Sequence, residues 1–338
     1  MATYPIFERK NVLVTGGAGF IGSHICERLL RDANVICVDN FITSSESNID
    51  HLLQHPNFEF VNHDIIQPLH IENLTELDHF KVKYQGIQEI YHLACPISKR
   101  NFDDFKIATV LTNSVGIKNI LDIAVKYRSK MLYASSSVLY GNRQDGGKEK
   151  YSEHDECHID HLTSRGAYDE GKRFSEAIMQ TYADVHALDI KIARVFRTYG
   201  PRMKIFDGNL LPDIIMNALD GKDINLTGDE DTRVSLAFVT DIVDGMIKLM
   251  MSPVDVTLLN LGSDQDVRLV HVAQLIMQLT GSVSHIRFDT PSMHYTEPGL
   301  PDISRAREIL GWIPLVRLED GLKKMIDYTK SHRHQLTF

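Results

Sequence analysis

A chain of 338 residues, 43% hydrophobic and 24% charged, is long enough for about two domains with a sizeable core, and it lacks the biases of disordered, collagen-like or disulfide-scaffold sequences. Its 36 Lys+Arg against 45 Asp+Glu give a formal net charge of −9, which argues against nucleic acid or an anionic membrane as partner but leaves room for a local basic pocket. No apolar run approaches the ~20 residues that span a bilayer. Met1 to Lys10 does not read as a targeting segment, and the scattered Cys26, Cys37, Cys95 and Cys157 read as free thiols in a reducing cytoplasm.

Along the chain, Asn11 to Thr15 is a short β-branched run that stops at Gly16-Gly-Ala-Gly19-Phe-Ile-Gly22 and continues as an amphipathic stretch from Ser23 to Arg31. A second apolar run, Val35 to Val38, ends in Asp39, and further runs follow at Phe58 to Val61, Ile87 to Leu93, Lys130 to Ala134 and Lys191 to Val195. Helical patterns lie between them, clearest at Ile107 to Tyr127 and Tyr168 to Leu188. Strands alternating with helices predict an α/β fold, a Rossmann-type doubly wound parallel sheet. Beyond Arg197 the alternation loosens, with helices at Leu211 to Leu219 and Val270 to Thr280. This predicts residues 1–195 as a dinucleotide-binding domain and 196–338 as a smaller α/β substrate region partly interleaved with it.

Gly16, Gly19 and Gly22 follow a strand and open a helix, with Phe20 and Ile21 in its first turn. A tight turn that lets backbone approach a pyrophosphate, and a helix N-terminus whose free amides favour an anion, need this pattern. Asp39 closes the next strand, followed by Asn40; a carboxylate there accepts from ribose hydroxyls and repels a 2′-phosphate, which favours NAD over NADP. Asp64-Ile65, after the third strand, reads as an adenine contact or as an ordinary surface turn. Tyr168 and Lys172 form a Tyr-x-x-x-Lys pair on one helical face, where the ammonium, helped by a nicotinamide positive charge, lowers the phenol pKa and lets Tyr168 act as general base. Ser135-Ser-Ser-Val-Leu-Tyr-Gly141 follows a strand and offers a hydroxyl to the same substrate oxygen.

These motifs resemble the extended short-chain dehydrogenase/reductase family of NAD-dependent sugar-nucleotide epimerases, dehydratases and decarboxylases, nearly over the full length. Thr15 to His24, Val38-Asp-Asn40, Tyr91-His-Leu-Ala94, Thr112-Asn113, Tyr168 to Arg173, Thr198 to Met203, Pro301-Asp-Ile303 and Leu310-Gly-Trp312 look most like the UDP-glucuronate decarboxylase branch. The resemblance implies transient oxidation at sugar C4 by bound NAD, with Tyr168 as base, Lys172 as its tuner and Ser136 as their partner. It also implies that Leu93, Ala94 and Asn113 contact the cofactor, and Asn209 and Leu210 a diphosphate. A homodimer built on helices 107–127 and 168–188 follows in the same way.

The departures from the family pattern are informative. Ser136-Ser137-Val138 stands where the dehydratases carry Thr-Asp-Glu, which disfavours 4,6-dehydration. Two arginines that resemble phosphate clamps are Val234, with Arg233 displaced by one residue, and Gly299. One residue in a strand means the opposite face, unless a bulge turns Arg233 back. Positive charge stands instead at Lys99, Arg100 and Arg197, which with Ser137 predicts a cationic pocket for an anionic sugar.

His154-Asp-Glu-Cys-His158 holds ligand types for zinc but lacks a second cluster and reads as a polar loop, so no metal is expected. His332 and His334 read as a solvated tail. Asn73 to Gly86, with Leu77, Phe80 and Val82, reads as an added structured segment. The leading expectation is a UDP-glucuronate decarboxylase-type lyase. The alternatives are a C4 epimerase with the same three catalytic residues, and an NAD-binding sensor that has lost turnover.

Overall fold

The computed structural model describes residues 9–97, 102–141, 148–156, 159–163, 165–205, 207–290 and 299–333. Lys99 and Arg100 therefore lie outside the described residues, as do Cys157, His158 and His334.

Seven parallel strands form the central sheet: β1 (Lys10–Thr15), β2 (Ala33–Asp39), β3 (Phe58–Asn62), β4 (Glu89–His92), β5 (Lys130–Ser136), β6 (Ile190–Val195) and β7 (Leu258–Leu261). Their spatial order is β7-β6-β5-β4-β1-β2-β3. The chain leaves β1 towards β2 and β3, then returns to the other side of β1 to build β4 onward. The order thus reverses between β1 and β4, where a crevice opens at the strands' C-terminal ends. A parallel sheet covered on both faces needs near-continuous apolar strands, as in Val12-Leu-Val14: Val12 and Val14 join one buried cluster and Leu13 the other.

Four helices shape the crevice or flank it. Helix α1 (Phe20–Leu29) follows β1. The single helix expected at 107–127 is instead α2 (Lys106–Leu111), a π turn (Thr112–Gly116) and α3 (Ile117–Tyr127). Helix α4 (Gly166–His186) starts two residues earlier than its pattern and stops where Ala187 turns left-handed at φ 53°.

The later part of the chain is woven into the earlier one, because β7 pairs with β6 at the sheet edge. Around it, short two-stranded pairs join 150–151 to 300–301, 198–199 to 237–238, 224–227 to 286–289 and 233–235 to 266–268. Trp312 is fully buried and donates its indole N–H to the Asp241 carbonyl at 2.9 Å, tying residues 310–316 to the helix Val239–Met251. The segment 73–86 forms short helical turns that bury Leu77, Phe80 and Val82, and the Asn11 amide on β1 donates to the Phe80 and Gly86 carbonyls at 3.0 and 2.9 Å. His332 is not a loose tail residue: it closes the helix Leu318–His332 and stacks on Tyr328.

Candidate active site

The crevice is a cleft lined from the turn after β1 by Gly16 and Gly19, from β2 by Val38 and Asp39, from the segment after β4 by Leu93 to Pro96, and by Thr112 of the π turn. Its floor depends on absent side chains. A Cβ on Gly16, whose φ is +71°, would lie 2.6 Å from the Ala94 nitrogen, and one on Gly22 would lie 2.1 Å from the Gly16 carbonyl oxygen. Gly19 caps α1 with no side-chain hydrogen bond, and no acid stands in the first turn. The first amides of α1, around half-buried Phe20 and Ile21, are thus left for an anion.

Asp39 is buried at the end of β2 and accepts from the Ala18 amide at 3.0 Å, the Phe41 amide at 2.9 Å and the Ser44 hydroxyl at 2.7 Å. Three of its roughly four acceptor positions are filled, one by a hydroxyl of the kind a ribose would bring. Asn40, Asp64 and Ile65 also line the cleft. The Asp64 carboxylate accepts from the Ile66 amide and shapes its own turn, while Ile65 packs against Gly116 of the π turn.

Tyr168 and Lys172 project from the first two turns of α4 onto the end of β5. Lys172 is buried, donates to the Ala134 carbonyl at 2.8 Å, and holds its ammonium 4.7 Å from the centre of the Tyr133 ring and 5.9 Å from that of Tyr168. The Ser136 hydroxyl accepts from the Val138 amide at 3.4 Å and stands near enough to Tyr168 to favour its ionised form. Burial pushes the Tyr168 phenol up, with Cys95 adding to the rise, while the nearby Ser136 hydroxyl and Arg165 oppose it. The same burial pulls Lys172 down. In the protein alone desolvation outweighs the pull of Ser136 and Arg165, and the nicotinamide charge that the sequence expectation also invoked acts only when NAD is bound.

Asn113, expected on the cofactor, has its amide engaged inside the protein. It donates to the Thr109 carbonyl and the Cys95 sulfur at 2.9 and 3.1 Å, and it accepts from the Tyr133 and Ser175 hydroxyls at 3.1 and 3.2 Å. Its place is to hold the π turn against α4, and the residue that turn offers to the cleft is Thr112.

Among the anticipated substrate residues, Ser137 is buried at the start of the turn Ser137–Tyr140, and Asn209 precedes the helix Leu210–Asp220 with Leu210 half-buried in its first position. Arg197 is half-buried after β6, and its carbonyl accepts from the Ala237 amide at 3.0 Å. The ladder at 233–235 runs in regular register with 266–268, so no bulge turns Arg233 inward. Val234 is buried, whereas Arg233 stays on the exposed side in an ion pair with Asp266 at 3.5 Å. At Gly299 any Cβ would lie 2.1 Å from the Tyr151 ring, which stacks on Tyr140. An aromatic stack thus fills the second arginine's place. Among the described residues, no three His, Cys, Asp or Glu side chains converge on a metal site.

Sequence reading missed Ser44, Cys95, Arg165 and Glu176. Only Glu176 carried a signal, since it lies four residues beyond Lys172 on the face that bears Tyr168.

Two buried histidines make the fold acid-sensitive. Burial and the Lys172 charge hold His92 down to about 3, and burial and Arg202 hold His24 down to about 4. The folded protein leaves both neutral where the unfolded chain takes up protons, so their contribution to stability is intact above about pH 6.5 and falls as pH drops towards 4 and 3. The expected loss by pH 5 is about 2 kcal/mol for each histidine, read by denaturant unfolding at about pH 7.5 and 5. A flat profile across that interval would refute it.

A model described as the NAD dependent epimerase/dehydratase family matches residues 12–262. The chain is 38% identical over 330 residues to UDP-glucuronic acid decarboxylase 1 of Xenopus tropicalis, covering 97% of this chain and 74% of that protein. Among solved structures, an epimerase from Methanothermobacter thermautotrophicus superposes with TM-score 0.83 at 27% identity, covering 98% of this chain and 95% of that one. UDP-glucuronic acid 4-epimerase from Bacillus cereus, in complex with UDP-glucuronic acid and NAD, superposes with TM-score 0.80 at 25% identity, covering 95% and 99%. No helix among the described residues is long and apolar enough to cross a membrane. The glycine turn, the acid at the end of β2 and the Tyr168–Lys172 pair agree with these likenesses, and the chain belongs to the NAD-dependent epimerase/dehydratase family.

Proposed function

We propose that the protein is a UDP-glucuronate decarboxylase that works through transient oxidation at sugar C4. The observation that carries this reading is the convergence of Ser136, Tyr168 and Lys172 at the end of β5, beside the Cys95 that lines a cleft fit for NAD, in a chain 38% identical to a UDP-glucuronic acid decarboxylase. The residues that would hold the dinucleotide are Gly16, Gly19, Phe20, Ile21 and Gly22 at its pyrophosphate, Asp39 and Asn40 at its adenine ribose, and Asp64 and Ile65 beside its adenine. Leu93 and Ala94 would flank its nicotinamide half, with Tyr168 and Lys172 near its second ribose. NAD, when bound, accepts a hydride from C4 and returns it.

Tyr168 takes the proton of the 4-hydroxyl, with the Ser136 hydroxyl steadying the same oxygen. The resulting ketone lies β to the sugar carboxylate. When the C5–C6 bond breaks, carbon dioxide leaves and the electron pair moves onto the C4 oxygen, where the Tyr168 and Ser136 hydroxyls donate to it. C5 then takes up a proton. Lys172, held by the Ala134 carbonyl, keeps a positive charge behind the phenol throughout. Val138 brings no acid to this site, so elimination of water lacks its proton donor. Arg197, Ser137, Asn209 and Leu210, with Lys99 and Arg100, remain the proposed contacts to the anionic substrate. Arg233 stays a weaker candidate, given its pairing with Asp266.

Likeness to a UDP-glucuronic acid 4-epimerase supports a second reading, in which the ketone rotates before reduction and no carbon is lost. The exposed Ile107, Val110 and Leu111 on α2 and Phe174 on α4 support a homodimer across these helices, and the free, buried Cys26 and Cys37 suit a reducing cytoplasm. The deciding experiment incubates the NAD-loaded protein with UDP-glucuronate, measures carbon dioxide and the sugar product, and reads the mass by light scattering. Carbon dioxide with a pentose product from a dimer is expected. Product without carbon dioxide selects epimerisation, and retained NAD with no turnover selects a sensor.

A further inference from the structure

We propose that Ser135, Glu176 and Arg194 are positioning residues of this site, fixing the strand end that carries Ser136 against the helix that carries Tyr168 and Lys172. The inference rests on the reading of Tyr168 as the group that takes the substrate's hydroxyl proton.

Two consecutive residues at the end of β5 bond to one face of α4, and the next, Ser136, stands beside Tyr168. The Ala134 carbonyl accepts from Lys172 at 2.8 Å and the Ser135 hydroxyl donates to Glu176 Oε1 at 2.5 Å, while Ser136, whose hydroxyl accepts from the Val138 amide at 3.4 Å, stands near enough to Tyr168 to favour its ionised form. Positions 168, 172 and 176 repeat every four residues, so strand and helix are joined at two successive turns of the helical face that also bears Tyr168. Parallel pairing sets Arg194 of β6 opposite Ser135. Its guanidinium forks onto Glu176, Nε to Oε1 at 3.0 Å and Nη2 to Oε2 at 2.7 Å, and Nη1 donates to the Tyr140 hydroxyl at 2.9 Å.

From there the bonds continue into the later part of the chain. The Tyr140 hydroxyl donates to the Asn260 amide oxygen at 2.7 Å, the Asn260 backbone N–H to Glu153 at 2.8 Å, and the Asn260 side-chain amide to the Tyr151 carbonyl at 2.9 Å. The pair is almost sealed, with side-chain exposures of 7% for Arg194 and 13% for Glu176. A buried ion pair adds little stability over well-packed apolar groups, whereas its planar two-bond geometry admits one arrangement. Its place directly behind Ser136 makes that arrangement the one that aims the Ser136 hydroxyl.

Ser135→Ala cuts the link without altering charge. It is expected to lower kcat about tenfold with KM and NAD affinity within about twofold, since a misaimed group costs rate rather than binding. In the NAD complex, the ionisation midpoint of the Tyr168 phenol, read by ultraviolet difference against Tyr168→Phe, is expected to move up as the Ser136 hydroxyl turns away from it. Glu176→Gln leaves Arg194 unpaired and is expected to lower kcat about a hundredfold. Should that variant fail to fold, Ser135→Ala decides. A merely structural role would lower thermal stability and leave kcat per folded site and the phenol midpoint unchanged. That result for Ser135→Ala overturns the proposal. The phenol titration needs NAD but no sugar, so it is read even if the wild-type protein leaves UDP-glucuronate untouched, an outcome that would count against the decarboxylase reading alone.

Discussion

Tyr168→Phe is expected to lower kcat by roughly 10²–10⁴-fold while leaving NAD affinity within about threefold, because it removes one hydroxyl and keeps the ring that packs in the site. The pH profile separates this from a packing defect. Burial holds the phenol above its ordinary range in the protein alone, with Ser136 and Arg165 pulling against it. The positive nicotinamide of bound NAD adds to that pull, so the midpoint falls on loading. A base works in its deprotonated form, and kcat of the wild-type protein should therefore rise with pH through the midpoint of the loaded enzyme. Tyr168→Phe should lose that limb. A variant that keeps the limb, or keeps the wild-type rate, would remove Tyr168 from the proton transfer.

Gly22→Ala should weaken NAD binding by about a hundredfold or more and lower unfolding stability by roughly 2–4 kcal/mol, because the backbone of the Gly16–Gly17 turn stands in the way of the new methyl group. Its Cβ would lie 2.1 Å from the Gly16 carbonyl oxygen and 2.9 Å from the Gly17 Cα. Neither can retreat without moving the start of α1 away from β1, and the amides that would meet the pyrophosphate move with it. Gly19→Ala is the control. There the nearest atom is the same carbonyl oxygen at 3.1 Å, and the backbone sits at φ −73°, which alanine adopts freely. Denaturant melts should show a large loss of stability for Gly22→Ala and a small one for Gly19→Ala, and calorimetric titration should show the loss of NAD affinity in Gly22→Ala. Wild-type affinity in Gly22→Ala would mean that the close approach of α1 to the turn does not shape the site.

The arginine positions show where reading along the chain reaches its limit. Sequence spacing gave two competing fates for Arg233, and only the cross-strand register could choose, since it turns on whether Val234 pairs squarely with Val267. Gly299 read as a lost cation, yet the space beside it belongs to Tyr151, a residue 148 positions earlier that arrives through the pairing of 150–151 with 300–301. Asn113 read as a cofactor contact, and its four internal hydrogen bonds come from a π turn that leaves no trace in the periodicity of 107–127.

What the amino-acid order determined alone was local: a strand, three glycines and a helix in succession, an acid at the end of the next strand, and a tyrosine and lysine one turn apart. Each depends on dihedral preference or on the 3.6-residue period, and both act over a few residues. Tertiary structure decided what these pieces meet. The reversal of strand order between β1 and β4 opens the cleft, the insertion of β7 beside β6 brings Asn260 to the buried network, and burial raises the Tyr168 phenol where a neighbouring lysine alone would lower it. Pairing across parallel strands and desolvation both depend on groups brought together from distant parts of the chain, and so neither can be read from spacing.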